Sequence, residues 1–217
     1  MSSPATRRLT QVEIPVEQRW RTRVALQPIA PPSVLGRAGL SVALMMAGSL
    51  QAKWWGTEAD LLPVAVFGFS FGGIAQLAAA MWAYKARDVP ATLTHGAWGA
   101  YWIAYFVLQL WKPAGATFAH GLWMVGLAAV TLTAAAAREV NHPLMAAMRA
   151  VLTAGAAVTA VGYLGSGFGS PWSTAGGWLF VVTAGLAWAA VVHMLVVTLR
   201  TPAIALPWAE PGVRRGQ

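Results

Sequence analysis

The chain has 217 residues, 57% of them apolar and only 10% charged, with a mean hydropathy of +0.55, whereas a soluble domain carries about 25% charged residues; so few charges cannot cover a water-facing surface, which excludes a single soluble core of this length. There is no cysteine, which removes disulfides, thiolate-bound zinc and iron–sulfur clusters. The net charge of +8 lies in loops beside apolar segments, with no interleaved aromatics, and so points to anionic lipid headgroups rather than nucleic acid.

Residues 1–33 read as a cytoplasmic arm. Met1–Gln27 is polar, carries Arg7, Arg8, Arg19, Arg21 and Arg23, and lacks the apolar run of a signal peptide. Val12, Ile14 and Val16 alternate with polar residues, which suits an arm lying on the membrane or clasping a neighbouring subunit as well as it suits a disordered tail. Pro31-Pro32 breaks any helix there.

Six apolar segments follow in residues 34–200, each long enough or nearly so to span a bilayer, which takes about 20 residues. They are Leu35–Leu50, Leu61–Tyr84, Leu93–Trp111, Phe118–Ala137, Leu144–Leu164 and Gly176–Leu199. The first carries Arg37 near its start and so begins in the headgroup region. Pro90, Pro113, Pro143 and Pro171 punctuate the breaks. The short breaks predict antiparallel neighbours, and the fold class is an all-α integral membrane protein, a six-transmembrane-helix bundle. Residues 201–217 read as a cytoplasmic tail.

With the N-terminus inside, every one of the 15 basic residues except Lys53 and Lys112 falls on the inner side. That bias predicts both termini in the cytoplasm and a multi-pass protein of a bacterial-type inner membrane. Trp54, Trp55, Trp111, Trp172, Trp178 and Trp208 stand near predicted helix ends, where indoles anchor at the headgroups. Gly68 and Gly72 are four apart, with Gly73 beside them, a spacing that lets helices approach closely in lipid; Thr153, Ala157 and Ala160 give the fifth segment a similar face.

Catalytic motifs are absent: no HExxH, P-loop, GxSxG or paired Asn-Pro-Ala boxes. His95, His120, His142 and His193 lack metal-ligand spacing, and no Asp or Glu lies deep in a span. No enzyme activity, metal or cofactor is expected. The polar residues within spans are Gln76, Gln109, Thr131, Thr133 and His193, and such groups are costly unless they face protein or water. Gln76 reads equally as a path-lining hydrogen bonder or an interhelical tie, and His193 as a pH-responsive group or an interfacial one bonded to a carbonyl.

The stretch Phe69 to Trp102, FSFGGIAQLAAAMWAYKARDVPATLTHGAWGAYW, resembles the acetate uptake transporter family, the succinate–acetate permease group. Phe71, Gly72, Gly73 and Gln76 match its aromatic–Gly–Gly–x–x–Gln run. Tyr84 and Lys85 match the end of its second helix, and Trp98, Gly99, Tyr101 and Trp102 an aromatic–Gly–x–aromatic–Trp element in its third. The resemblance implies six helices, a ring of protomers, commonly six, and a channel-like path for acetate or a similar small monocarboxylate beside Gln76, Tyr84, Trp98 and Trp102. The chain departs from the pattern in three places. Ala30–Gly36 replaces Asn-Pro-Ala-Pro-Leu-Gly, Ala83 replaces an acid, and the last helix is apolar apart from His193. Those losses of polar groups suit a second reading, a non-transporting subunit of a larger membrane complex docked through the arm. A pigment or haem at His193, with Ala189 four residues before it, is a variant of that reading.

Overall fold

The computed structural model describes residues 30–138 and 143–200. The arm up to residue 29 and the tail 201–217 lie outside the described residues, as do Trp208 and His142.

Six membrane-spanning helices make up the described chain. They are α1 (Ser33–Gln51), α2 (Glu58–Lys85), α3 (Val89–Trp111), α4 (Ala116–Arg138), α5 (Pro143–Gly165) and α6 (Pro171–Arg200). The helices outrun the apolar segments by one to five residues, most at the N-terminal ends of α3 and α6, where the first turns hold the residues that begin the helix. Pro90, Pro143 and Pro171, expected as breakers, instead stand in the first turns of α3, α5 and α6. Proline is tolerated there because the N–H it lacks would have no helical acceptor. Asp88 caps α3, its Oδ1 accepting from the Ala91 N–H at 3.1 Å. At the head of α2, Thr57 and Asp60 exchange side-chain and backbone bonds across a short 3-10 turn, Glu58–Asp60.

Five helices are long and apolar enough to cross a membrane; α3 has the length, 23 residues, but falls outside that set. Its hydropathy is lowered by Thr94, His95, Trp98, Tyr101, Trp102 and Tyr105, and all of these are buried. These polar atoms on α3 therefore lie inside the bundle, away from lipid, where a spanning helix can keep them. The lipid-facing surface shows the complementary pattern, with Phe67, Ile74, Met81, Leu132, Val182 and Trp188 about half exposed or more.

The helices pack as a closed ring in the order α1-α2-α3-α4-α5-α6, with α6 returning to α1. Successive helices alternate in direction, so α1, α3 and α5 run in parallel. One end of the ring carries Lys53, Lys112 and Ser166, and the other carries Arg37 and Arg87. Polar ties close the ring. Gln51 Nε2 donates to Thr159 Oγ1 (2.9 Å) and to the Ser173 carbonyl (2.7 Å), joining α1, α5 and α6. Ser41 Oγ donates to the Ala184 carbonyl at 2.7 Å.

α2 is not uniform. Between Leu61–Phe67 and Gln76–Lys85 it widens to π-helical turns over Gly68–Ala75. Such turns are rare and often occur at functional sites. In this segment α2 lies close against both α1 and α3. A Cβ at Gly68 would lie 2.7 Å from the Trp102 ring, and one at Gly72 2.7 Å from Ala43 and 2.8 Å from Trp102. Gly73 faces Ile103 at 3.0 Å. Gly72→Leu should therefore destabilise the purified protein by roughly 1–3 kcal/mol or more. Gly126→Leu, at an exposed glycine with nothing within 4 Å of its would-be Cβ, should leave the melting temperature at the wild-type value. Equal melting temperatures for the two variants would refute the tight seat.

Candidate functional site: an axial funnel

From the Lys112 end a vestibule of about 360 Å³ leads into the ring, its wall including Glu58, Gln109, Lys112, Thr117 and Ser166. Leu61, His120, Tyr163 and Phe168 border both this vestibule and a second cavity further in. The second cavity measures about 10 Å³, room for about one water. Its inner wall is formed by Leu44, Trp98, Tyr101, Trp102, Tyr105 and Phe180. The arrangement is a funnel with polar residues in its wall that closes on an aromatic neck.

The neck is built by helical periodicity. Trp98, Trp102 and Tyr105 recur at three- and four-residue spacing on α3 and so share one face. Around them the rings meet edge to face: Trp98 against Phe180 at 6.1 Å and 89°, Trp102 against Tyr105 at 5.9 Å and 90°. His120 of α4 stacks on Tyr163 of α5, centroids 4.1 Å apart, and its Nε2 lies 3.4 Å from the Tyr101 hydroxyl. Edge-to-face and offset contacts of this kind hold rings in place as well as burying them.

Two indoles of the neck differ in their bonding. Trp98 Nε1 donates to Thr131 Oγ1 at 3.1 Å, and Thr131 bonds back to the Leu127 carbonyl. Trp102 Nε1 is buried without a partner. An unsatisfied buried donor costs about 1–3 kcal/mol, and natural proteins seldom keep one without use.

Beyond the neck, toward the Arg87 end, Leu40 of α1, Trp98 of α3 and Leu152 of α5 belong to one packed core and are 0–1% exposed. They make a dry plug. One turn further, Gln76 of α2 meets His95 of α3, Oε1 to Nδ1 3.4 Å, while Gln76 Nε2 is buried without a partner. His95 reaches this depth because α1 offers no side chain at Gly36, where a Cβ would sit 2.5 Å from the imidazole.

Of the residues singled out by the sequence, Gln76, Trp98 and Trp102 come together at the axis, all 0–1% exposed. Gly68 and Gly72 form the seat of Trp102. Tyr84 does not join them; it is 75% exposed, on the outward side of α2. His193 also faces outward, from α6. Arg37, expected among headgroups, is buried, and its guanidinium donates to the Met194 sulfur of α6. Sequence reasoning named Tyr101 as a motif residue and His120 among the histidines without placing either on the path, and passed over Tyr163. The signal for His120 and Tyr163 was slight, since neither belongs to a motif and each lies within a turn or so of a helix end, where polar-capable residues are common. The three-to-four spacing of aromatics on α3 could have placed Tyr101 there.

In otherwise cysteine-free protein, a cysteine at Ser166, on the exposed rim of the vestibule, should react fully with a water-soluble thiol reagent, and one at Leu40 should resist it. Mass spectrometry reads both; rapid labelling at position 40 would mean that the plug is wet.

The chain matches no protein-family profile and no curated protein. Among solved structures it is similar to that of the bacterial acetate channel SatP, with a TM-score of 0.70 and 17% identity over 82% of this chain and 98% of that one. The six-helix membrane fold is shared.

Proposed function

We propose that the chain is a channel-like transporter for acetate or a similar small monocarboxylate, the solute moving along the axis of the six-helix ring. The observation that carries this reading is Trp102, which lines the neck cavity below the vestibule and whose buried indole N–H has no partner. A carboxylate oxygen passing the neck would accept from it, and one leaving the plug would accept from Gln76 Nε2, so two orphan donors gain a purpose. The fold shared with a bacterial acetate channel supports the same reading. The protomer works in a lipid bilayer and associates as a homo-oligomer, six being the number implied by the sequence resemblance.

Proteoliposomes holding the purified protein should take up labelled acetate faster than empty ones between pH 5 and 8. Gln76→Leu should lower that uptake severalfold while leaving assembly unchanged, because it removes the amide donor at nearly constant volume. Uptake equal to that of empty vesicles would sink the transport reading.

The closed neck, with room for about one water, favours a second reading, a non-transporting subunit of a membrane complex. In that case Gln76→Leu has no effect on solute flux and deletion of residues 1–26 releases the protein from its partner.

We also infer that both termini are cytoplasmic, from the distribution of basic residues. A cysteine at Trp55 should then label from outside intact cells and one at Arg214 should not; the opposite pattern would invert the topology.

A further inference from the structure

Between the vestibule and the neck the room falls from about 360 Å³ to about 10 Å³. The first volume has room for many waters and the second for about one, so a solute moving inward must exchange its hydration shell for protein at this step. Four side chains border both cavities: Leu61, His120, Tyr163 and Phe168. Two are apolar and two carry hydrogen-bonding groups. Each comes from a different part of the ring. Leu61 lies near the head of α2, His120 in the second turn of α4, Tyr163 in the last turn of α5, and Phe168 in the loop between α5 and α6. Gly167 and Gly169 flank Phe168 at φ +83° and +82°, a left-handed conformation that favours glycine and lets so short a loop bring a ring inward.

The two polar members are buried, His120 6% exposed and Tyr163 8%, yet both have bonding capacity to spare. Their rings stack with planes 20° apart, which holds each in place. Among the described residues neither the Tyr163 hydroxyl nor His120 Nδ1 has a hydrogen-bond partner. Neither atom is sealed in packed protein as Trp102 Nε1 is, and both rings border the vestibule. The other imidazole nitrogen, Nε2, lies 3.4 Å from the Tyr101 hydroxyl. When that hydroxyl donates to Nε2, the neutral imidazole carries its proton on Nδ1 and becomes a donor there. The step then holds two donors, Tyr163 O–H and His120 Nδ1–H. The formal charges in the vestibule wall, Glu58 and Lys112, are exposed and of opposite sign. They offset each other, so selection falls to the floor.

We propose that Tyr163 and His120 form an entry site for a small monocarboxylate at the floor of the vestibule. The carboxylate oxygens accept from the Tyr163 hydroxyl and His120 Nδ1–H, and the short alkyl group lies against Leu61 and Phe168. These contacts replace the water that the anion sheds before the neck. The chemistry suits a carboxylate for two reasons. An ionised carboxylate only accepts, and its hydrogen bonds are about twice as strong as those between neutral groups. Its alkyl end is apolar, as is half of the collar that receives it. The site rests on the transport reading for its role but not for its existence.

The test follows the melting temperature of the detergent-purified full chain as sodium acetate is added, with sodium chloride and methylammonium chloride as controls of salt and of size. Three variants are compared with wild type. Tyr163→Phe deletes only the hydroxyl and keeps the stacked ring; His120→Phe keeps a ring without nitrogens; Tyr84→Phe makes the hydroxyl deletion on the outward side of α2. Acetate should stabilise wild type and the two chlorides should not. The half-saturating acetate concentration should rise about tenfold or more in Tyr163→Phe, the loss expected when an ionised acceptor gives up one donor, and by a similar factor in His120→Phe. Tyr84→Phe should respond as wild type. Should His120→Phe fail to fold, Tyr163→Phe decides alone. Wild type that acetate does not stabilise, an equal response to either chloride, or a half-saturating concentration unchanged in Tyr163→Phe would overturn the site. In proteoliposomes Tyr163→Phe should raise the acetate concentration for half-maximal uptake by the same factor. Acetate binding that weakens in Tyr163→Phe, in a protein that takes up no acetate, would keep the site and remove the transport reading instead.

Discussion

Trp102 lies where α1, α2 and α3 converge, and it fits there because α2 presents no side chain at Gly68 or Gly72. In lipid, helices gain nothing from hiding apolar surface from one another, since the tails are as apolar as the side chains; association rests on close contact and on interhelical hydrogen bonds. An indole pressed against two glycines and the Ala43 methyl group provides such contact on three helices at once. It also fixes the rotation of α3. With Trp102 seated, Trp98 is turned to Thr131 and His95 to Gln76. The polar layout of the axis is thus a consequence of one packing event in the middle of the membrane.

The same constraint explains the π-helical turns of α2. Gly68, Gly72 and Gly73 are buried within that widened segment and Gln76 directly after it. Adjacent glycines on the inner side let α2 lie against both α1 and α3, so that the Phe71 carbonyl abuts Gly39 of α1 and the Gly99 carbonyl of α3 lies 3.6 Å from the would-be Cβ of Gly73. The ring closes there without leaving room for lipid or water, whereas at the Lys112 end it opens to about 360 Å³. The result is asymmetric, open on one side of the neck and close-packed at the plug.

Much of the fold could be read in the sequence, because a run of apolar residues long enough to cross a bilayer has few other uses. All six spans were found, including α3, whose polar-capable aromatics lower its hydropathy. Boundaries slipped where proline was read only as a breaker; Pro143 and Pro171 begin helices. The cyclic order of the helices was not legible, since it depends on which faces meet and not on any one segment. Gln76 and Tyr84 show the limit at single residues. Both stand in the motif stretch of α2, yet Tyr84 is eight residues on, about 80° around the helix from Gln76 at 100° per residue. The inward stripe there runs through Ala79, Ala80 and Ala83, and Tyr84 falls beside it. A motif says which residues recur together, while the face they occupy depends on packing that the motif does not encode.

The ring divides its labour by direction. The three parallel helices α1, α3 and α5 supply the side chains that fill the axis at successive levels: Arg37, His95 and Arg149, then Leu40, Trp98 and Leu152. The antiparallel helices α2, α4 and α6 supply what those side chains rest on: the glycine seat of Trp102, Thr131 beneath Trp98, the Ala134 carbonyl for Arg149, and the Ala184 carbonyl for Ser41. Leu61, Gln76, His120 and Phe180 are exceptions; Gln76 and His120 each enter the axis as the partner of an α3 residue, His95 and Tyr101 respectively. It follows that changes on the parallel helices act on the axis directly, while changes on the antiparallel ones act through the rotation of a neighbour.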